Sequence, residues 1–297
     1  MTIDDPASAD AQPASMRIDA HLHHWQPACN FDNRPVADQP FYRRDFMPAD
    51  ARAALDACRI DGVILVQTAP QTEETDWCIR LASETPRIWG VTAWVDLDGA
   101  PVDFGALARR PKVVGIRAQL RRIADSDFIA RPQVTENLAA ALHAKLGVVL
   151  LGEARHYAAV SRALDRLPPG PLTVNHLALP APDMDAEPWR AFMRRLAERP
   201  DTFVQFSGIP FCFGAQWRDG HARACMEDAL RILGPQRMLY ASDWPMLLRF
   251  AQYEEWFETA WKFFATLAPK DVAAIFAGNA LRANPRLRVP QRTLDVG

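Results

Sequence analysis

Short apolar runs recur along the chain, and the segments between them carry apolar residues at every third or fourth position. Near-continuous runs such as 63–66 and 148–151 are typical of strands that are covered on both faces, as in a parallel sheet. The pattern predicts eight strands, near Arg17–His21, Gly62–Gln67, Ile88–Val95, Val113–Ala118, Gly147–Glu153, Leu172–His176, Thr202–Ser207 and Arg237–Asp243.

Helical spacing separates several of these strands. Leu55 and Cys58 share one apolar stripe, and Cys225, Ala229 and Leu233 share another. Strands that alternate with helices predict an α/β fold, here a closed or distorted (β/α)8 TIM barrel. The alternative is an open doubly wound sheet. That fold favours a glycine-rich turn after an early strand, and the chain contains no GxGxxG sequence.

The length of the chain agrees with one barrel. Its 297 residues, 49% of them apolar, exceed the roughly 250 residues that such a barrel usually needs. We predict one domain over residues 16–284, a disordered tail over 1–15 and an irregular tail over 285–297. The segment 26–47 is long for a connection, and we expect it to overhang the barrel mouth.

Charge and cysteine content restrict the environment and the partners. The formal net charge is −2, and there is no long apolar run, so we expect neither a nucleic-acid nor a membrane partner. The five cysteines form no CxxC pair, which is typical of reduced thiols in a cytoplasmic protein. Residues 1–15 lack the basic start and apolar stretch of a secretory signal. We therefore expect a cytoplasmic location, and the oligomeric state stays open.

Two histidines, His21 and His23, stand at the end of the first predicted strand. Side chains alternate along a strand, so both imidazoles are expected on one side, with Cα atoms about 6.6 Å apart. Such a pair can share a metal ion, a water molecule or a substrate oxygen.

Polar or aromatic residues mark the carboxyl ends of the other predicted strands, where TIM barrels carry their active sites. In chain order they are Gln67, Trp94, Arg117 with Gln119, Glu153, His176, Ser207 and Asp243. Each has a structural alternative: His176 could be a core histidine, Asp243 could begin a turn, and Arg117 could form an ion pair. Together they predict one polar site, because such groups are costly to bury unless they contact each other or a ligand.

Some of these residues also suit a metal ion. His21, His23 and Asp243 could hold one Zn²⁺ or Mn²⁺, with Glu153 as a possible fourth ligand. We expect that the protein needs no cofactor, and the alternative is a single divalent metal at these residues.

With these motifs in order, the chain resembles the amidohydrolase superfamily. Within it, the resemblance is to the lactonase branch, which includes sugar-acid lactonases and 2-pyrone-4,6-dicarboxylate lactonase. It covers nearly all of residues 18–282. The matching segments are 19–25 (DAHLHHW), 62–67 (GVILVQ), 115–117 (GIR), 175–177 (NHL), 206–208 (FSG), 242–245 (SDWP) and 278–280 (GNA).

The resemblance implies roles for individual residues. Asp243 corresponds to the base that activates water. His21, His23 and His176 correspond to groups that contact the lactone carbonyl or the water, and Arg117 to the residue that holds an acidic or polar part of the substrate. The remaining candidates for substrate contact are Gln67, Trp94, Gln119, Glu153, Ser207 and Arg121.

The chain departs from the sugar-acid lactonases at three places. Where many of them resemble His-Leu-Gly-Lys-Pro, residues 176–180 read His-Leu-Ala-Leu-Pro. The segment 209–214 is unusually apolar. Arg121 and Arg122 add a basic pair, although both could also lie in an exposed loop. These departures favour a flatter, more apolar and anionic substrate over a polyhydroxy sugar acid.

We therefore expect a hydrolase that opens the lactone ring of a small, anionic carboxylic acid with water activated by Asp243. If Arg117 and Arg121 both face inward, a di-anionic substrate is favoured. The alternative is a metal-dependent decarboxylase of a small aromatic or unsaturated acid on the same barrel, which predicts a tightly bound metal and release of CO₂. A binding barrel without catalysis would not need the base.

Overall fold

The computed structural model describes residues 16–27 and 40–290. Within them, eight parallel strands form one sheet in which spatial neighbours follow chain order. The strands are β1 (Ile18–Leu22), β2 (Gly62–Val66), β3 (Ile88–Ala93), β4 (Val113–Gln119), β5 (Gly147–Leu151), β6 (Leu172–Val174), β7 (Thr202–Phe206) and β8 (Met238–Tyr240).

Helices follow the strands and cover the outside of the sheet. The α-helices are α1 (Pro48–Ala57), α2 (Thr72–Glu84), α3 (Phe104–Arg109), α4 (Pro132–His143), α5 (Tyr157–Leu164), α6 (Ala186–Ala197), α7 (Ile209–Phe213), α8 (Gly220–Leu233), α9 (Tyr253–Phe264), α10 (Pro269–Ala273) and α11 (Asn279–Ala283). In this part of the chain, no helix combines the length and the apolar character that a membrane crossing requires.

The first and last strands meet, so the sheet nearly closes on itself. Beyond β8, the backbone N–H of Asp243 donates to the carbonyl of His21 at 2.9 Å, and the N–H of His23 donates to the carbonyl of Trp244 at 2.7 Å. Leu22 and Trp244 form a parallel bridge at the same point. The prediction of a single-domain (β/α)8 TIM barrel is therefore confirmed.

Six predicted strands end one to three residues earlier than expected, and two of them, β6 and β8, stop at Val174 and Tyr240 just before residues of the predicted site. For these two strands, the reason is local backbone geometry. His176 has φ +53° and Asp243 has φ +58°, both in the left-handed region, which no extended strand can include. Both residues therefore stand on turns just above the strands, where their side chains face the barrel mouth.

The opposite end of the barrel is sealed. Ile64, Val66 and Val114 pack in one buried cluster with Ala280 and Ala283 of α11. An amide on α11, that of Asn279, donates to the carbonyls of Pro235 at 2.8 Å and Met238 at 2.7 Å, at the start of β8. In the described part of the chain, packed side chains and α11 thus fill this end of the barrel, and the carboxyl ends of the strands are the side open to a ligand.

The predicted tails and overhanging segment are only partly described. The tail 1–15, residues 28–39 of the segment 26–47, and residues 291–297 lie outside the described residues. Residues 285–290 contain no helix or strand. The domain limits of 16 and 284 remain predictions.

Candidate active site

Three imidazoles surround one carboxylate at the bottom of the barrel mouth. The Oδ1 atom of Asp243 lies 3.4 Å from Nε2 of His23, 3.6 Å from Nε2 of His21 and 3.8 Å from Nε2 of His176. All four residues are buried. The structure thus brings together the residues that were predicted to be catalytic, although more than 200 positions separate the first from the last.

A buried carboxylate below them, Asp19, connects the two chain segments that carry the site. Its Oδ1 accepts the backbone N–H of His21 at 3.1 Å and that of Ser242 at 2.9 Å, and its Oδ2 accepts the hydroxyl of Tyr253 at 3.0 Å. One side chain therefore holds β1 against the segment after β8. This contact sets the spacing between His21 and Asp243.

Burial raises the pKa of Asp19 to about 6 from 3.8, and the hydrogen bonds that it accepts oppose this rise only in part. Because the folded pKa is the higher one, the contribution of this group to stability is complete below about pH 4 and is lost as the pH rises through 6. A shift of about two pKa units corresponds to about 3 kcal/mol.

Asp19→Asn is expected to keep the fold and to remove the loss of stability that occurs as the pH rises through 6. The asparagine Oδ1 can accept the same two backbone N–H groups, and its Nδ2 can donate to Tyr253. At pH 7 the variant is expected to gain up to about 3 kcal/mol over wild type, and at pH 4 the gain is expected to disappear. Urea unfolding of metal-free protein at both pH values measures the difference. An equal difference at both pH values would contradict the prediction.

His176 stands on an unusual turn. His176, Leu177, Ala178 and Leu179 all have φ between +49° and +60°, and no glycine is among them. A left-handed non-glycine residue costs on the order of 1–3 kcal/mol, so this turn needs support from its surroundings. Tyr157 donates its hydroxyl to the carbonyl of Ala178 at 2.6 Å, and the Trp189 indole donates to that of Leu177 at 2.8 Å. Such strain is concentrated at functional sites.

The Nδ1 atoms of the first two histidines have defined acceptors. Nδ1 of His23 lies 2.6 Å from the carbonyl oxygen of Val66, and Nδ1 of His21 lies 2.8 Å from Oε1 of Gln205. Both Nδ1 atoms are therefore assigned the proton, which leaves both Nε2 atoms as acceptors in the neutral rings. In this state neither Nε2 atom can donate a hydrogen bond to a substrate oxygen.

Protonation of the site follows from its burial. Burial lowers the pKa values of His21, His23 and His176, and the charge of Arg117 lowers them further; that of His176 falls to about 4. Burial alone raises the pKa of Asp243, but His176, His23 and Arg117 together lower it below its ordinary value. At neutral pH, the site therefore contains neutral imidazoles around an ionised carboxylate.

This set of atoms fits a divalent metal. The ligand atoms of His21, His23 and Asp243 lie within 4.8 Å of one another. The two bare Nε2 atoms are only 3.1 Å apart and repel each other unless a cation lies between them and the carboxylate. Glu153, predicted as a possible further ligand, instead pairs with Arg121 at 3.1 Å and with Arg155 at 2.8 Å.

A cavity of about 510 Å³ opens above the carboxylate. His23, His176 and Asp243 form part of its lining, with Phe211 on one wall. Four guanidinium groups also line it, those of Arg117, Arg121, Arg122 and Arg249. The lining contains only two carboxylates, those of Asp243 and Glu153. Positive charges therefore outnumber negative ones, and the cavity attracts anions.

The predicted contact residues divide into two groups. Arg117, Arg121, Gln119 and Glu153 line the cavity, and the Arg121 guanidinium lies 5.5 Å from the Phe211 ring centre. Gln67, Trp94 and Ser207 do not belong to its lining.

The residues outside the lining have other contacts. The Gln67 amide donates to two backbone carbonyls and accepts from the N–H of Trp94 at 2.9 Å. Trp94 lines an adjoining cavity of about 310 Å³, which shares Arg117, Gln119 and Arg122 with the main one. The Ser207 hydroxyl lies 2.8 Å from Nδ1 of His176 and is fully buried. Ser207 therefore orients an imidazole, and Gln67 supports the backbone.

Several residues of the site were not predicted from the sequence. Gln205 lies on β7 within the apolar run 202–206, and a polar residue there was the available signal. Asn175 belonged to the matching segment 175–177, but no role was predicted for it. Tyr42 lies in the segment 26–47, which was expected to overhang the mouth, but the residue itself was not predicted; it contacts Arg249 at 3.1 Å, and both line the cavity. No feature of the sequence singled out Arg249.

A larger groove, of about 660 Å³, lies away from these residues at the beginnings of β2 and β3. Asp56 and Arg87, which line it, already pair across it at 2.5 Å. It contains no cluster of imidazoles around a carboxylate among the described residues, so we place the site in the smaller cavity at the barrel mouth.

The barrel thus carries His21 on β1, His23 just beyond it, His176 after β6 and Asp243 after β8, all at the carboxyl ends of the strands, where TIM-barrel enzymes carry their active sites. The Amidohydro_2 family, described as amidohydrolase, matches residues 18–283. The chain therefore belongs to the amidohydrolase family.

Individual relatives are more specific. The chain is 31% identical over 288 residues to an L-fucono-1,5-lactonase of Burkholderia ambifaria, covering 90% of this chain and 94% of the relative. It is 29% identical to an L-fucono-1,5-lactonase of Burkholderia multivorans over 90% and 95% of the two chains. A crystal structure of a Burkholderia multivorans amidohydrolase with bound zinc is 27% identical, with a TM-score of 0.82, covering 90% of this chain and 98% of that one. The protein is thus a hydrolase, with lactonases among its relatives.

Proposed function

We propose that this protein hydrolyses a small lactone that carries carboxylate groups, with Asp243 as the base that activates water. The observation that carries the proposal is the position of Asp243, ionised and surrounded by three imidazoles at the bottom of an arginine-lined cavity. The lactonase relatives support the reaction class.

The charge of the cavity supports an anionic substrate. Arg117 is buried beside the imidazoles, and Arg121 lies further out beside Phe211. Both face the cavity, which is the arrangement that favours a di-anionic substrate. An anionic lactone would gain more from this positive potential than a neutral sugar lactone.

In the proposed mechanism, three residues share the steps of ring opening. Asp243 accepts a proton from the attacking water, and later returns it to the leaving alkoxide. His176 can donate from Nε2 to the developing oxyanion when the Ser207 hydroxyl donates to its Nδ1. Arg117 holds a carboxylate of the substrate and thereby orients the ester next to Asp243.

His21, His23 and Asp243 are the residues that would hold a divalent metal, in agreement with their bare acceptor atoms. The chemistry that such an ion supplies is Lewis-acid polarisation of the ester carbonyl.

A panel of lactones assayed with a pH indicator tests the proposal. It contains neutral sugar lactones and lactones with one or two carboxylates, each with and without zinc and with a chelator. We expect the highest kcat/KM for the di-anionic lactones. Turnover of neutral sugar lactones alone would reject the substrate class, and absence of any lactone hydrolysis would reject the reaction. Release of CO₂ from aromatic acids, measured in parallel, would favour the decarboxylase alternative.

Arg121→Gln tests the charge of the cavity directly. Loss of a charge-assisted hydrogen bond at this partly exposed position is expected to lower kcat/KM for di-anionic lactones about tenfold, with neutral lactones unchanged. Arg218→Gln is the matched control, because Arg218 pairs with Glu255 on the surface much as Arg121 pairs with Glu153. Equal losses for charged and neutral lactones would contradict the role of Arg121.

A further inference from the structure

Gln205 and Asn175 form an amide pair beneath His21, inside the barrel. Nε2 of Gln205 donates to the carbonyl of Ala20 at 3.2 Å, and this contact orients the amide so that Oε1 faces the imidazole. Oε1 then lies 2.8 Å from Nδ1 of His21 and also accepts from Nδ2 of Asn175 at 2.6 Å. All of these side chains are buried.

Two arrangements of the proton on His21 are conceivable, and Gln205 decides between them. With the proton on Nδ1, the ring donates to Gln205 and its Nε2 is a bare acceptor. With the proton on Nε2, the ring would donate to Nε2 of His23 at 3.1 Å, but its bare Nδ1 would then face the Gln205 oxygen at 2.8 Å. Two lone pairs at that distance repel, so the first arrangement is favoured.

A second nitrogen close to Nδ1 does not distinguish the two arrangements, because its amide could also donate to a bare Nδ1. Nδ2 of Asn175 lies 3.1 Å from Nδ1 of His21. Both atoms donate to the same Gln205 oxygen, so their separation follows from the shared acceptor. Rotating the Gln205 amide by 180° would place its oxygen against the carbonyl of Ala20, and this excludes the alternative.

We infer that Gln205 is a positioning residue for metal binding: it holds His21 in the tautomer whose Nε2 can ligate a divalent cation. The same contact prevents a hydrogen bond between His21 and His23 that would close the site to a metal. Partners of this kind typically change metal affinity 10- to 100-fold when they are removed.

The zinc affinity of the protein tests the inference. It is measured on purified, metal-stripped protein by competition with a chromophoric chelator. Gln205→Met has a similar volume but no acceptor, and it is expected to bind zinc 10- to 100-fold more weakly. Gln205→Glu keeps an acceptor for Nδ1 and is expected to bind zinc at least as tightly as wild type, although it loses the donation to Ala20. A structural role alone would weaken both variants together.

Two further measurements complete the test. Asn279→Leu removes another buried amide at the sealed end of the barrel, and it is expected to lower stability without changing zinc affinity. Nitrogen NMR of labelled histidines in zinc-free protein is expected to show the His21 proton on Nδ1 in wild type and on Nε2 in Gln205→Met. A wild-type proton on Nε2, no zinc binding by wild type, or unchanged affinity in Gln205→Met would each overturn the inference. None of these readouts depends on lactone turnover, so they are separate from the test of the proposed function.

Discussion

Asp243→Asn is expected to lower kcat about 1,000-fold, since proton transfer by a placed side chain typically contributes 10²–10⁴-fold and an amide cannot accept the proton from water. The variant should fold normally. Asp243 has φ +58°, and asparagine is one of the few residues besides glycine that adopt this conformation readily. The backbone hydrogen bond from residue 243 to His21 is kept as well. Steady-state kinetics on the best lactone of the panel provide the measurement.

Asp243 could also act only as a ligand, and the same experiment separates the two roles. The metal content of the variant is measured beside its activity, with zinc added in excess. Loss of turnover at full zinc occupancy supports the base. Asp228→Asn is the control, because Asp228 pairs with Arg190 and Arg231 on the outer helices and is expected to leave kcat unchanged. Retention of more than a tenth of wild-type kcat would remove Asp243 from the role of base.

Gly208→Ala is expected to lower kcat/KM at least about 100-fold, although Gly208 touches no substrate. Gly208 has φ +75°, and a Cβ atom built there would lie 2.4 Å from Cβ of His176. His176 must therefore move, and a displacement of about 1 Å at a catalytic group can cost about 10²-fold. The left-handed alanine also costs on the order of 1–3 kcal/mol of stability. Kinetics and thermal unfolding of the same preparation give both values.

Gly234→Ala is the matched control for the cost of placing alanine in the left-handed backbone conformation. Gly234 has φ +72°, so alanine is strained there too, but a Cβ atom at this position would have no neighbouring atom within 4 Å. We expect a similar loss of stability with kcat/KM unchanged at a temperature where both proteins are folded. If Gly208→Ala loses no more activity than Gly234→Ala, the displacement of His176 is not the cause.

The pattern of the chain was sufficient to predict the barrel. Runs such as 63–66 and 148–151 identified buried parallel strands, because a strand covered on both faces must be apolar at every position. The rule that active sites lie at the carboxyl ends of barrel strands then placed His21, His23, His176 and Asp243 at one end. For these four residues, the position relative to a strand end was sufficient to predict that they lie at the barrel mouth.

The same rule was less informative for Gln67, Ser207 and Glu153. All three follow strands, as predicted, but a strand end does not tell whether a side chain faces substrate or another residue. Gln67 supports neighbouring backbone, Ser207 orients His176, and Glu153 pairs with two arginines. These outcomes depend on which hydrogen-bond partners lie within about 3 Å, and spacing along the chain does not contain that information.

The amino-acid sequence by itself determined the barrel, its mouth and the histidines and aspartate that meet there, because apolar periodicity and strand order follow directly from local residue types. Only the tertiary structure decided the chemical state of those groups. The proton on His21 depends on Gln205, which is 184 positions away, and the spacing of His21 from Asp243 depends on Asp19 and on Ser242, 223 positions beyond it. Hydrogen bonds act over a few ångströms in space, so their partners become visible only when the chain is folded.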